Sequence, residues 1–525
     1  MSNKLDAGSL AEIEDPGTFR SYQNPALLNY VAAAAGYAPR PLRPGFRYLE
    51  LGCGKGVTAN VMAAASPQGE FWGVDVSAEH IAGARRQAED SGLANITFVD
   101  RAFADLPGGD LPEFDFVTLH GVYAWVPDQV RRDIRATLAA KLKPGGIAYV
   151  MYSAKPGRAA VEPLRRLLVD LVDRHQGDLP ARVEAGLQYL TRLRDNEAQY
   201  FVQNPAAAEA LTDATNSGVQ VAVNEFLSES WEPHYFVDVA RDMAESGLVF
   251  AGQAATARND LDLMLTEDLK SLVQELDDPL HVEQAKDFAL NTGMRVDVYV
   301  KAQGPVPEAE RAALFDGLIF GTTKSKKSIE REVQFPPGRL ALSGKPYDEI
   351  LASCAVVAHD MSEIRALSTL QDYTPAQQLD ALHYLVSGEQ LAPFAAPSRF
   401  GTTSAPGGTG PQFAMDGGYN RRVIEGLRGD ESGILLASPA LGSGIELDLL
   451  TATVLQTLTA VGTERAPGRL WESLVSYGIG ERIPGWPAGD PKEQVPFTAK
   501  CLIDFMEDRL VKLLDLGVLD FAGPS

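Results

Sequence analysis

Glu50-Leu51-Gly52-Cys53-Gly54-Lys55-Gly56 stands where an apolar run, FRYLEL (46–51), gives way to an alanine-rich helical run ending at Ala65. Glycines at alternate positions let the backbone turn tightly and approach a ligand closely, because a Cβ at Gly52, Gly54 or Gly56 would stand in the way. A Gly-x-Gly-x-Gly turn alone is weak evidence. Two acids strengthen it: Glu50 opens the motif, and Asp75 ends the next strand 25 residues later, where nucleotide folds set a carboxylate against ribose hydroxyls. Val57 occupies the place of the third dinucleotide-type glycine, and Glu50 would repel a pyrophosphate. The pattern suits a ligand with a cationic amino-acid end.

S-adenosylmethionine is such a ligand. Val76, next to Asp75, belongs to the expected cofactor contacts. After the third strand the run is Asp100-Arg101-Ala102-Phe103, so backbone groups at Ala102 and stacking on Phe103 are expected to recognise adenine. Strand four ends in LHGVYAWV (119–126), beside the reactive methyl by the logic of such folds. It carries no DPPY-like turn of the kind that holds a flipped base, which disfavours methylation of nucleobases. It offers His120, Tyr123 and Trp125 instead, and strand five ends near Tyr152. Aromatic faces steer an ammonium by cation–π attraction; ordinary core packing is the alternative for each of them. His120 is open to cofactor orientation, core packing or acid–base work. Cys53, Cys354 and Cys501 are too few and too scattered for a thiolate zinc site, so no metal is expected.

These residues need a frame that brings them to one edge. FRYLEL, FWGVDV (71–76), NITFV (95–99), EFDFVTLHG (113–121) and GGIAYVMYS (145–153) read as strands, the last after a Lys143-Pro144-Gly145-Gly146 turn. Helical patterns over 78–91 and 128–141 alternate with them, which implies an α/β fold with a Rossmann-like, mainly parallel sheet. Residues 158–230 interrupt the alternation with a helical insertion, in which Val161, Leu164, Leu168 and Leu171 recur at helical spacing. FVDVARDMAESGLVFAGQA (236–254) reads as a helix and a strand, and MRVDVYVKA (294–302) as a strand. The last two strands are expected to complete the sheet. The first domain is then discontinuous, 1–157 with 231–304, around the insertion at 158–230, and a mixed, mostly helical region follows at 305–525. In that region SRFGTTSAPGGTGPQFAMDGG (398–418) reads as a long loop.

The chain has 525 residues, 45% of them hydrophobic and 22% charged, a globular balance that excludes collagen and low-complexity disorder. Its net charge of −23 makes nucleic acid a poor partner. The acid is unevenly placed: residues 1–157 sum to −2, residues 158–304 to −12 and residues 305–525 to −9. The N-terminus has no apolar leader, and no run is long enough to span a membrane, so a cytoplasmic protein without membrane insertion is expected.

The acid-led glycine turn, the acid ending strand two and the late KPGG turn together resemble class I methyltransferases. ELGCGKG, AEHIAGAR (78–85), LPEFDFVTLHGVYAWV (111–126), KLKPGGIAYVMYSAKPG (141–157) and NEFLSESWEPHYFVDVA (224–240) are similar to bacterial methyltransferases that carry a methyltransferase regulatory domain. Among these are the rickettsial protein-lysine methyltransferases that act on an outer-membrane surface protein. The resemblance covers most of residues 20–304 and implies methyl transfer from S-adenosylmethionine to lysines exposed on a protein substrate. It also implies a helical dimerisation insert, hence a homodimer, and further domains that shape the substrate surface. Tyr22, Tyr123, Trp125 and Tyr152 would then line the acceptor channel, with Tyr22 also at the cofactor, and His120 and Glu225 would be its polar groups. The chain departs from the family's SYNxxPGW in Ser153-Ala154-Lys155-Pro156-Gly157-Arg158, and has Asn224 where the family often has His before Glu225. Methylation of a small metabolite, and a cofactor-binding regulatory protein without turnover, stay open beside it.

Overall fold

The computed structural model describes residues 18–216, 218–227, 230–302, 304–397, 413–415, 417–429, 432–483, 485–487 and 491–521. Its centre is a seven-stranded sheet: β1 (Arg47–Leu51), β2 (Glu70–Asp75), β3 (Ile96–Asp100), β4 (Phe114–Leu119), β5 (Leu142–Ser153), β6 (Val249–Gln253) and β7 (Met294–Val300). The order across the sheet is β3-β2-β1-β4-β5-β7-β6. β7 runs antiparallel between β5 and β6, and β1 to β5 pair in parallel. Strands buried on both faces read as near-continuous apolar runs, which is why they are legible in the sequence.

The connecting helices carry ordinary start signals and one apolar face each. α1 (Pro25–Ala34) begins with Asn24, whose side chain accepts from the Ala26 N–H, and Pro25 fills its first turn. α2 (Val57–Ala65) follows the glycine turn. α3 (Ala78–Asp90) is capped by Ser77 and buries Ile81, Ala84 and Ala88. α4 (Asp128–Lys141) buries Ile134 and Leu138. One local expectation changes: the Lys143-Pro144-Gly145-Gly146 turn lies inside β5, because the Gly145 N–H pairs with the Lys301 carbonyl at 2.7 Å and draws that stretch into the sheet.

Between β5 and β6 the chain forms helices at Val161–Arg174, Leu179–Asp195, Gln199–Gln203, Pro205–Asn216 and Val219–Phe226. They close around Leu168, Leu187, Phe201, Leu211 and Phe226, a core of their own. Residues beyond 304 fold onto the sheet. Tyr30, Val31 and Tyr149 share one apolar core with Phe320, Leu382 and Leu385. A hairpin, Gly433–Ser438 with Ser443–Asp448, packs on α2, where Val61 and Ala65 meet Tyr419 and Ala437. Of the glycine-rich stretch 398–418, residues 398–412 and 416 lie outside the described residues. No described helix is long and apolar enough to cross a membrane.

The antiparallel strand carries a buried ionic cluster. Arg295, fully buried, donates to both carboxylate oxygens of Asp287 at 2.7 and 2.8 Å, to Glu283 at 2.8 Å and to Asp297 at 2.9 Å. Its guanidinium lies 4.1 Å over the Phe236 ring. Lys286 adds a second buried cation beside Glu283, and the two together hold the Glu283 carboxyl down near 2 despite its burial.

Candidate functional site

The sheet order reverses between β1 and β4, and ligands of such sheets bind outside the carboxyl ends of the strands at that point. The glycine turn lies there. Gly52 and Cys53 donate their N–H groups to the Val74 carbonyl at 2.7 and 3.0 Å, which ties the turn to the end of β2. Gly52 has φ +70°, and a Cβ on it would stand 2.5 Å from Val122 Cγ2. Gly56 also has φ +70°, and its Cβ would meet Ala84 and the Phe98 ring at 2.7 Å, so only glycine lets α2 sit this close to α3 and β3. Gly54 donates its N–H to Asp75 Oδ2 at 2.9 Å, and Ser77 donates to Oδ1 at 2.9 Å. The carboxylate at the end of β2 is thereby fixed in direction before any ligand arrives.

Glu50, the last polar residue of β1, is 5% exposed. Gln23 Nε2 donates to its Oε1 at 3.0 Å; its Oε2 is buried with no hydrogen-bond partner among the described residues. Burial pushes the Glu50 carboxyl up to about 7, against the Gln23 hydrogen bond and the charge of Arg20. A cavity of about 70 Å³ opens here, lined by Glu50, Gly52, Cys53 and His120 on one side and by Thr18, Arg20, Lys55, Val57 and Thr58 on the other. His120 Nδ1 and the Tyr149 hydroxyl share a hydrogen bond at 2.9 Å, and burial with the nearby Arg20 charge brings the imidazole down to about 3. A second chain of polar groups runs beneath: the Tyr48 hydroxyl donates to Gln23 Oε1 at 3.2 Å and lies 2.8 Å from Thr118 Oγ1.

The structure thus brings Glu50, Gly52 and His120 to one cavity, with Gly54 and Gly56 in the same turn and Asp75 bonded to it from the end of β2. Val76, 72% exposed, and exposed Ala102 with half-buried Phe103 stand at the ends of β2 and β3. Tyr22 is half-buried against the core that includes α1. The aromatic channel does not assemble as expected. Tyr123 and Tyr152 are fully buried under the opposite face of the sheet; Tyr123 donates to Asp242 at 2.8 Å and Tyr152 to Asp297 at 2.7 Å. Neither lines the cavity: Tyr152 lies three residues from Tyr149 on β5 and so faces the other way, and Tyr123, in the turn after β4, is drawn to Asp242. Trp125 packs 6.2 Å from Trp231 and joins the core to the insertion. Glu225 falls in the helix Val219–Phe226, and its side chain lies outside the described residues.

Sequence reading missed Thr18, Arg20, Gln23 and Tyr149. The segment before α1 carries only the helix-start signal of Asn24-Pro25, and nothing in its pattern tells that Gln23 turns inward. Tyr149 was legible, since it shares parity with the cavity face of β5.

Residues 49–146 match the family model for a methyltransferase domain, and residues 219–301 match the one described as a predicted methyltransferase regulatory domain. The chain carries a methyltransferase domain and a methyltransferase regulatory domain. A protein of Synechocystis sp., itself uncharacterized, is 28% identical over 91% of this methyltransferase and 92% of its own length. PKMT2 from Rickettsia typhi, solved in complex with AdoHcy, shares the fold over 96% of this methyltransferase and 100% of its own chain, with 19% identity and a TM-score of 0.70. A ubiquinone biosynthesis O-methyltransferase of Xanthomonas campestris is 32% identical over 24% of the methyltransferase and 48% of its own length.

The cofactor of the methyltransferase is S-adenosylmethionine. The residues present fit it: Glu50 keeps a buried acceptor oxygen without a partner, as a ligand ammonium requires, and the Asp75 carboxylate is held in direction at the end of β2 by the Gly54 and Ser77 N–H groups. Bound there, the cofactor supplies an activated methyl on a sulfonium, so the protein's task is orientation and a dry site. His120, held down near 3 by burial, adds no cation to this cavity at physiological pH.

Proposed function

We propose that the methyltransferase transfers its methyl group to lysine side chains of a protein. The observation that carries this reading is the extent of the likeness to PKMT2, which takes in the insertion and the C-terminal region as well as the nucleotide fold. The LHGxYxW run and the charge of −12 over residues 158–304 add to it, since an acidic middle segment attracts a lysine-rich surface. Glu50, Gly52, Gly54, Gly56 and Asp75 hold the cofactor, with Val76, Ala102 and Phe103 at its adenine end, and His120 faces the acceptor. The working division is 1–157 with 231–304 for methyl transfer, 158–230 for self-association and 305–525 for substrate recognition.

A free lysine has a pKa near 10.4 and must lose its proton before it attacks. Desolvation beside neutral His120 favours that loss, whereas a bare carboxylate would oppose it. The test is incubation with methyl-labelled cofactor and cell lysate, with Asp75→Ala as the control. Label on protein lysines, located by mass spectrometry and lost in the control, is the expected result. Label confined to small molecules overturns the lysine reading.

A further inference from the structure

We propose that Leu269, Leu272 and Leu276 form a docking face for a basic amphipathic helix of a partner protein. The three leucines lie within residues 219–301, the stretch matched as a regulatory domain. The inference is independent of the methyl acceptor and of the cofactor site.

The helix Glu267–Val273 turns one side chain inward. Val273, 5% exposed, enters a small core with Leu263, Met264, Leu265 and Phe335. Leu269 and Leu272 are three residues apart and share a face of that helix, yet they stay 38% and 59% exposed. The turn that closes the helix carries the row onward. There the Glu275 N–H donates to the Leu272 carbonyl at 3.3 Å and the Leu276 N–H to the Val273 carbonyl at 3.4 Å, and Leu276 is 42% exposed. Apolar residues scattered singly over a surface are ordinary. Leucines at i, i+3 and i+7, on an element whose core contact is already made by another residue, are an unpartnered face. That spacing is the one by which a second helix is met.

Charge selects what covers it. Over residues 266–278 the acids Glu267, Asp268, Glu275, Asp277 and Asp278 stand against the single base Lys270. Lys270 is itself paired with Asp262 and lies 3.8 Å from Glu267, and Asp278 is bonded to His281. The carboxylates of Asp268, Glu275 and Asp277 are exposed and make no hydrogen bond or ion pair among the described residues. A second copy of this chain, meeting the face across a two-fold axis, would set these acids against themselves. Residues 1–17 carry Asp6, Glu12, Glu14 and Asp15 against Lys4 and are repelled in the same way, as is an anionic bilayer. A helix with an apolar stripe flanked by Lys or Arg satisfies both the leucines and their rim.

The test is a titration of the full chain with a fluorescent helical peptide that has leucines at i, i+3 and i+7 and lysines beside them. A scrambled peptide of the same composition is the control. Fluorescence anisotropy should show binding of the ordered peptide that weakens as salt is raised. Leu272→Ser should weaken it by about tenfold or more, as expected for the loss of one buried leucine. Asp268→Asn, Glu275→Gln and Asp277→Asn together should weaken it and flatten its salt dependence. These side chains are exposed, so the variants should keep the parent's melting temperature and its affinity for S-adenosylhomocysteine. Equal binding of the scrambled peptide, no binding of the ordered one, or binding unchanged in Leu272→Ser would each overturn the proposal. So would a dimer of the parent that Leu272→Ser dissociates, since the occupant would then be a second copy.

Discussion

Gln23 Nε2 donates to Glu50 Oε1 at 3.0 Å, while Glu50 Oε2, equally enclosed, is left for a ligand. Burial outweighs the hydrogen bonding that favours the ionised form, so this carboxyl keeps its proton longer than usual, and Glu50 is pushed up to about 7. Without ligand, its contribution to stability is present below about 4.5 and is lost as pH rises through about 7. A cationic ligand reverses this preference, since it needs the ionised form.

Binding of S-adenosylhomocysteine should therefore release a proton below pH 7. Affinity should rise with pH between about 5 and 7 and then level off. Calorimetry at pH 6 in two buffers of different ionisation enthalpy reads the proton directly. Glu50→Gln should bind more weakly and lose the pH dependence; a flat profile in the unmodified protein would rule the coupling out.

Gly56→Ala should destabilise the fold and abolish cofactor binding together. The new Cβ would meet Ala84 and Phe98 at 2.7 Å, at a φ of +70° that alanine resists. Left-handed backbone and overpacking together cost about 2–4 kcal/mol. Denaturant unfolding of the variant measures the loss, and a midpoint unchanged from the parent would contradict the packing argument.

His120 should stay neutral throughout the working pH range. Its pKa is lowered from 6.5 to about 3, so its stabilising contribution is present above about 6.5 and is lost as pH falls towards 3. The melting-temperature gap between the parent and His120→Asn should narrow on acidification from pH 7 to 4. The pH profile of kcat should likewise show no limb removed by that substitution.

Arg295→Ala should be the most damaging single change among these. It strands Asp287 and Asp297, both fully buried, without their cation. Breaking such a cluster from one side costs about 3–5 kcal/mol, mostly as uncompensated buried charge. Thermal unfolding should show it. Arg295→Met with Asp287→Asn, which removes charge from both sides, should recover part of the loss.

Periodicity carried most of what the sequence disclosed. α4 spans Asp128–Lys141, the very residues its apolar spacing marks, and the seven strands fall within a few residues of their runs. The glycine turn was legible because close backbone approach leaves few residue choices, and Asp75 because it ends the strand to which that turn is tied. The aromatic channel was misread for a reason already present in the strands. Tyr149 and Tyr152 differ by three residues, so they point to opposite faces, and only Tyr149 meets His120. Gln23 and Arg20 were hidden because an inward turn of a short segment is decided by what it lands on, and Thr58 and Glu50 are far from it in sequence.

The place of β7 also constrains how the chain comes into being. β5 ends at Ser153, and its outer neighbour begins at Met294. A growing chain thus carries β5 with one edge unpaired while the whole helical insertion is made. Such an edge invites pairing with another chain. An insertion with its own apolar core folds early by local contacts and can shield that edge by bulk. Its stability therefore bears on the yield of folded protein.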